Sequence, residues 1–242
     1  MTSVIPDPSI NASTRRTAVI TGGGTGIGRA VAELLIARDW SVRALGLDSD
    51  PDLPAAISFR RCDVSDGGAL SAALDDLGPV SALVTCAAVL RDDEWTPASF
   101  DAVMAVNVTG VLAVSELLRA RLGEAGGSIV NFASMWSYFG SLNSPAYAAS
   151  KGAIVALTRS QAVAYAGEGI RVNAVAPGWI ATPMSRRARD DAERYARITA
   201  RIPLGRWGAA DDVARAIGFL VSDDAAYITG AILNVDGGYS IG

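Results

Sequence analysis

The sequence predicts an α/β fold, a doubly wound parallel sheet of about seven strands with helices on both faces. Three observations carry that prediction. Short apolar runs of strand length recur along the chain, and between them lie longer stretches whose apolar residues have helical spacing. The first run, Thr17-Ala18-Val19-Ile20, passes through a glycine-rich turn into a helix marked by Ile27, Val31, Leu34 and Leu35. Half of the 242 residues are hydrophobic and 19% are charged, an ordinary composition for one large core.

Taken in order, residues 1–14, with Pro6, Pro8, Ser9, Asn11 and Ser13, read as a flexible arm, and 15–242 as a single domain. After the first strand, further strands are expected near 41–45, 57–61, 81–86, 127–132, 170–175 and 231–235. Helices are expected near 66–77, 97–122, 145–167 and 209–222. The second connection is too short for a full helix, because Pro51 and Pro54 interrupt Asp48–Pro54. Cys62 and Cys86 would end non-adjacent strands. At about 4.8 Å per strand that separation is too wide for a disulfide, so a reducing cytoplasm is the expected compartment.

Composition excludes several chemistries. The chain has no histidine, which removes Ser-His-Asp and Cys-His hydrolysis and most zinc sites, and no metal is expected. A net charge of −4 favours neither nucleic acid nor an anionic membrane as partner. No apolar run reaches the roughly 18 residues of a membrane span. Met1–Asn11 has neither a basic start nor an apolar run, so no signal peptide is expected.

Two motifs carry positive information. In Thr21-Gly22-Gly23-Gly24-Thr25-Gly26-Ile27-Gly28, the glycines let the backbone approach a pyrophosphate, and the helix that follows offers free N–H groups and a positive dipole end. In Tyr147-Ala148-Ala149-Ser150-Lys151, a phenol and an ammonium stack on one helical face. A nearby positive charge favours the phenolate, which would lower the Tyr147 pKa towards neutrality. Of the 21 basic residues, 20 are arginine and Lys151 is the sole lysine, so this position calls for a compact ammonium rather than a guanidinium.

These residues together resemble the short-chain dehydrogenase/reductase family, from about Arg16 to Gly238. The family's fold is of Rossmann type. The resemblance implies hydride transfer between NAD(P) and a secondary alcohol or ketone, such as a sugar, polyol or cyclic alcohol. It implies Asn107, Ser134, Tyr147 and Lys151 as catalytic residues. Tyr147 would shuttle the hydroxyl proton, Lys151 would assist it and hold the ribose, Ser134 would hold the substrate oxygen, and Asn107 would relay protons through water. It implies cofactor contacts from Gly22, Thr25, Gly26, Ile27, Gly28, Asp63, Val64, Ala87, Tyr147, Lys151, Pro177, Gly178, Ile180 and Thr182. Asp236-Gly237-Gly238 is similar to the family's tail after the last strand. A homotetramer or homodimer built through the helices near 97–122 and 145–167 is implied as well. Enoyl-reducing relatives use a longer Tyr-to-Lys spacing than the four residues here.

The chain also departs from the family. Thr85-Cys86-Ala87-Ala88 stands where the family has Asn-Asn-Ala-Gly. Gly46 replaces the acid that ends the second strand and grips the ribose of NAD, and Asp48 is the nearest substitute. Asp48 and Asp50 would repel a 2′-phosphate and favour NAD over NADP. Arg43 is read as pointing to solvent at the sheet end rather than towards the ribose.

On the substrate side, Ser134 and Tyr147 are joined by Trp136 and Trp179, with Tyr138 and Phe139 nearby, as expected pocket walls for an apolar or ring-shaped body. The loop Ile180–Trp207 reads as a lid. Its arginines, in Arg186–Asp190, Arg187–Asp191, Arg189–Glu193 and Glu193–Arg197, have the i,i+4 spacing of a solvated helix, which argues against an acidic substrate. The rival readings are a non-catalytic NAD(P)-binding sensor or scaffold and a lyase or dehalogenase on the same fold.

Overall fold

The computed structural model describes residues 15–242, and the expected arm over 1–14 lies outside the described residues. Seven parallel strands form one sheet: β1 (Thr17–Thr21), β2 (Ser41–Gly46), β3 (Ile57–Arg61), β4 (Ala82–Thr85), β5 (Ser128–Phe132), β6 (Arg171–Pro177) and β7 (Ile232–Val235). Their order is β3-β2-β1-β4-β5-β6-β7. Successive side chains alternate between faces. Ala18 and Ile20 therefore enter one core, with Val42, Ala44 and Val84, while Val19 enters the other, with Leu83, Ile129 and Val172.

Helices α1 (Gly26–Ala37) and α8 (Ala210–Leu220) cover the first face. Helices α2 (Gly67–Leu74), α3 (Pro97–Met104), α4 (Gly110–Glu124) and α5 (Pro145–Tyr165) belong to the other side. Between β2 and β3 there is no helix, as the two prolines require. A π-helical turn, Ala105–Thr109, joins α3 to α4, so that Pro97–Glu124 is one continuous helix of 28 residues. By length and composition it is apolar enough to cross a membrane, a property that run length does not register because polar residues interrupt it. In this fold Val114, Leu118 and Leu122 form its buried stripe.

The strand order reverses at β1. Residues leaving β1 and β4 diverge there, and the crevice between them is the natural ligand site of an open parallel sheet. Gly22, with φ +68°, makes the turn out of β1, and a Cβ on it would sit 2.8 Å from the Ala87 amide nitrogen. The glycine loop and the segment after β4 thus touch backbone to backbone.

Candidate active site

A cleft of about 1490 Å³ runs across the C-terminal ends of the strands. At the β2–β3 side it is lined by Asp48, Asp63 and Val64, and at its centre by Gly22, Thr25, Gly26, Ile27 and Ala87. Ser134, Tyr147 and Lys151 follow beyond β5, with Pro177, Gly178, Ile180 and Thr182 after β6. Trp136 and Trp179 line the same cleft. Two expected contacts are not there. Gly28 does not line the cleft; a Cβ on it would lie 2.1 Å from the Gly22 carbonyl oxygen, so it is a packing glycine that lets α1 close against the loop. Asn107 is also away from the cleft, 1% exposed in the π-helical turn.

The Asn107 side chain is engaged by its neighbours. Its Nδ2 donates to the Val89 carbonyl (3.0 Å) and to Ser150 Oγ (3.1 Å), and its Oδ1 accepts from the Val89 amide (2.8 Å). These bonds tie the segment after β4 to α5. All three side-chain bonds go to protein partners, so the side chain positions these segments.

Ser134 begins a short 3₁₀ turn directly after β5, and its Oγ accepts from the Trp136 amide (3.2 Å). Ser137 fixes it to α5, because Ser137 Oγ accepts from the Ser134 amide (3.2 Å) and donates to the Lys151 carbonyl (2.8 Å). Lys151 is 2% exposed. Its Nζ donates to the Phe132 carbonyl (2.7 Å) and lies 5.4 Å from the centroid of the Tyr147 ring. One turn of α5 therefore presents both groups to the end of β5.

Burial dominates the protonation of this pair. It pulls the Lys151 ammonium down to about 8, with Cys86 opposing. It pushes the Tyr147 phenol up to about 12, with the Ser134 hydroxyl opposing. This corrects the expectation that Lys151 would set the Tyr147 pKa low: desolvation of the phenolate is the larger effect. Cys86, whose thiol is also pushed up to about 12 by burial, stands at the cleft floor where the family carries an asparagine.

Three further corrections concern charge. Arg43 does not point to solvent; it is 8% exposed and donates to the Ala73 carbonyl (2.6 Å) and to both carboxylate oxygens of Asp76 (2.9 Å each). Asp50 is bound to Arg29 (3.0 Å), leaving Asp48 as the acid at the β2 end of the cleft. The segment expected to form a lid contains two helices, α6 (Arg186–Arg189) and α7 (Ala192–Ala200), and Asp191 caps α7 by accepting from the Arg194 amide. Of the four expected pairs only Glu193–Arg197 forms, at 3.5 Å, and Arg187 reaches Asp92 across the cleft mouth at 2.6 Å.

Of the expected aromatic walls, Tyr138 donates to Asn234 and Phe139 packs edge-on against Tyr239; neither lines the cleft. Trp95 does line it, as do Arg187 and Arg194, and the sequence reading missed all three. Glu94, buried beneath the cleft wall, was missed as well.

A dinucleotide fits this cleft on structural grounds. Gly26, at φ +53°, opens α1, and Thr25 makes no side-chain cap bond, so the first-turn amides of α1 are available to a phosphate. A nucleotide-dependent oxidoreductase is the class this fold and site define.

The comparisons agree. A family profile described as enoyl-(acyl carrier protein) reductase matches residues 22–240. The chain is 39% identical to 2-(R)-hydroxypropyl-CoM dehydrogenase of Xanthobacter autotrophicus, over 93% of this chain and 98% of that one. It is also 39% identical to galactitol 2-dehydrogenase (L-tagatose-forming) of Cereibacter sphaeroides, over 93% and 94%. A crystal structure of a putative NAD(P)-dependent gluconate 5-dehydrogenase from Beutenbergia cavernae, with bound NADP, superposes with a TM-score of 0.86 at 36% identity, covering 93% of this chain and 96% of that one. The protein belongs to the short-chain dehydrogenase/reductase family, NAD(P)-dependent enzymes acting on CH–OH groups.

Proposed function

We propose that this enzyme interconverts a small secondary alcohol and its ketone through Ser134, Tyr147 and Lys151, with NAD preferred over NADP. The observation that carries the reading is the convergence of those three side chains on the cleft, one helical turn and one hydrogen-bonded strand end apart. Gly22, Thr25, Gly26 and Ile27 would hold the pyrophosphate, Asp48, Asp63 and Val64 the adenosine half, and Lys151 with the Pro177–Thr182 segment the nicotinamide half. When bound, the nicotinamide supplies the hydride acceptor or donor and, when oxidised, a positive ring charge.

The protein's own work is proton transfer and orientation. The Ser134 hydroxyl donates to the substrate oxygen as negative charge develops there. In oxidation the Tyr147 phenolate takes the hydroxyl proton, and in reduction the phenol returns it. The Phe132 carbonyl holds the Lys151 ammonium in place beside the phenol, where its charge favours the phenolate. Asn107 acts as a positioning residue, holding Val89 against Ser150.

Exposed Leu112, Leu117 and Val163 on α4 and α5 support a homodimer or homotetramer through those helices. The free thiols Cys62 and Cys86 fit a reducing cytoplasm. Sugars, polyols and cyclic alcohols are the first substrates to screen.

Replacing Tyr147 by Phe is expected to leave folding and dinucleotide binding intact and to reduce turnover about 10²–10⁴-fold. Because the phenol sits well above neutrality, wild-type alcohol oxidation should rise with pH from about 6 to about 8, where the phenolate fraction grows while Lys151 keeps its charge, and ketone reduction should not. Stopped-time assays in both directions check this; near wild-type turnover by the Phe variant would remove the proposal.

Asp48 is expected to make kcat/KM for NAD at least about tenfold higher than for NADP, through repulsion of the 2′-phosphate. Asp48→Asn should narrow that ratio. A wild-type preference for NADP would contradict this assignment.

A further inference from the structure

The lid of this cleft is charged in a way that its sequence spacing conceals. The chain breaks between α6 and α7, and the Asp191 carboxylate caps α7. The carboxylates that would have neutralised the arginines one turn away are thereby displaced. Arg194 makes no ion pair among the described residues; its guanidinium lies 5.9 Å from the centre of the Trp179 ring, and both line the cleft. Arg91 and Arg187 line the same cleft, but each has a carboxylate, Asp93 at 3.7 Å and Asp92 at 2.6 Å, which leaves Arg194 as the unpaired cation of the three. The result is one unpaired guanidinium beside an aromatic wall, in the same cleft as Ser134 and Tyr147. An arginine held over an aromatic face keeps its donors free for a planar oxyanion.

Resting on the dehydrogenase reading above, we propose that the substrate carries an anionic group, a carboxylate or sulfonate, at the end remote from its carbinol, and that Arg194 receives it. The aromatic walls take the body between the two ends, and Asp92 holds Arg187 at the rim.

Titration calorimetry with NAD present tests this with two unreactive ring probes, cyclohexanecarboxylate and neutral cyclohexanecarboxamide. The acid should bind about tenfold more tightly than the amide. In Arg194→Gln the ratio should fall towards one. Equal affinities in the wild type, no binding of the acid, or an unchanged ratio in the variant would each overturn the proposal. The dehydrogenase reading is judged separately, by Tyr147-dependent turnover of any neutral secondary alcohol.

A second observation stands independently of the lid. Ser144, at the N-cap of α5, makes no side-chain cap bond. The orphan amide of Tyr147 is instead satisfied from outside the helix: Glu94 Oε2 accepts from it at 2.8 Å, while Glu94 Oε1 accepts from the Arg91 amide at 3.0 Å. Glu94 is 1% exposed and has no basic partner among the described residues, so its charge is met by amides and by the positive end of α5. We infer that Glu94 is a positioning residue, which caps α5 in trans and fixes Tyr147 against the cleft wall. The charged and titratable groups around that phenol are Cys86, Glu94 and Lys151, with Ser134 beside it.

Glu94→Gln removes one acceptor and the charge. It should lower kcat about 10- to 100-fold with little change in KM, and shift the rising limb of the oxidation profile to lower pH, because a negative charge near the phenolate is gone. A purely structural role would lower activity without moving that limb. Glu94→Asp, which keeps the charge but shortens its reach, serves if the Gln variant does not fold; it should lower kcat with KM and the limb unchanged and with full dinucleotide-binding stoichiometry, whereas a purely structural role would lower that stoichiometry in step with kcat. Wild-type kcat in either folded variant, or an unmoved limb in Glu94→Gln, would overturn the inference.

Discussion

A single ammonium, 2% exposed and hydrogen-bonded at 2.7 Å to the carbonyl at the end of β5, sets the terms for the rest of the site. Burying it opposes folding, since desolvation disfavours the charged form. The fold carries that burden because Phe132, Ser137 and the Tyr147 ring surround the group with one acceptor, one tether and one π face. The same dryness raises the phenol. A phenol and an ammonium, with ordinary values of 10.0 and 10.5, are held in a medium where each resists ionisation, and where the charge of a bound oxidised nicotinamide would have most effect.

The scaffold supplies rigidity where the chemistry needs it. Ser134 and Lys151 come from the end of a central strand and from a 21-residue helix, and Ser137 joins them. Asn107 and Glu94 then tie the segment after β4 to that helix at two places. By contrast, the parts that distinguish substrates lie on short helices and loops, where Trp179, Arg187 and Arg194 can change without disturbing the sheet.

Much of this was legible in the sequence, for identifiable reasons. Strand and helix periodicity, the glycine turn and the four-residue Tyr–Lys spacing are local signals, and the strand positions and the pairing of Tyr147 with Lys151 follow from them. The remainder depended on non-local geometry. Gly28 looks like a phosphate glycine until its distance to the Gly22 carbonyl is known. The tie that Asn107 makes between Val89 and Ser150 has no signal in the spacing of the sequence. The lid arginines look neutralised because i,i+4 spacing assumes an unbroken helix, and Asp191 breaks it. Arg43 looks exposed because nothing in the sequence says that Asp76 lies under β2. A propensity argument sees none of these.

Because Lys151 is the only lysine in the chain, lysine labelled with ¹³C at Cε gives one side-chain signal to titrate by NMR. The account predicts a midpoint about 8 in the free protein, as burial requires. A midpoint at the ordinary lysine value of 10.5 would mean that the ammonium is solvated, and would contradict the arrangement on which the rest depends.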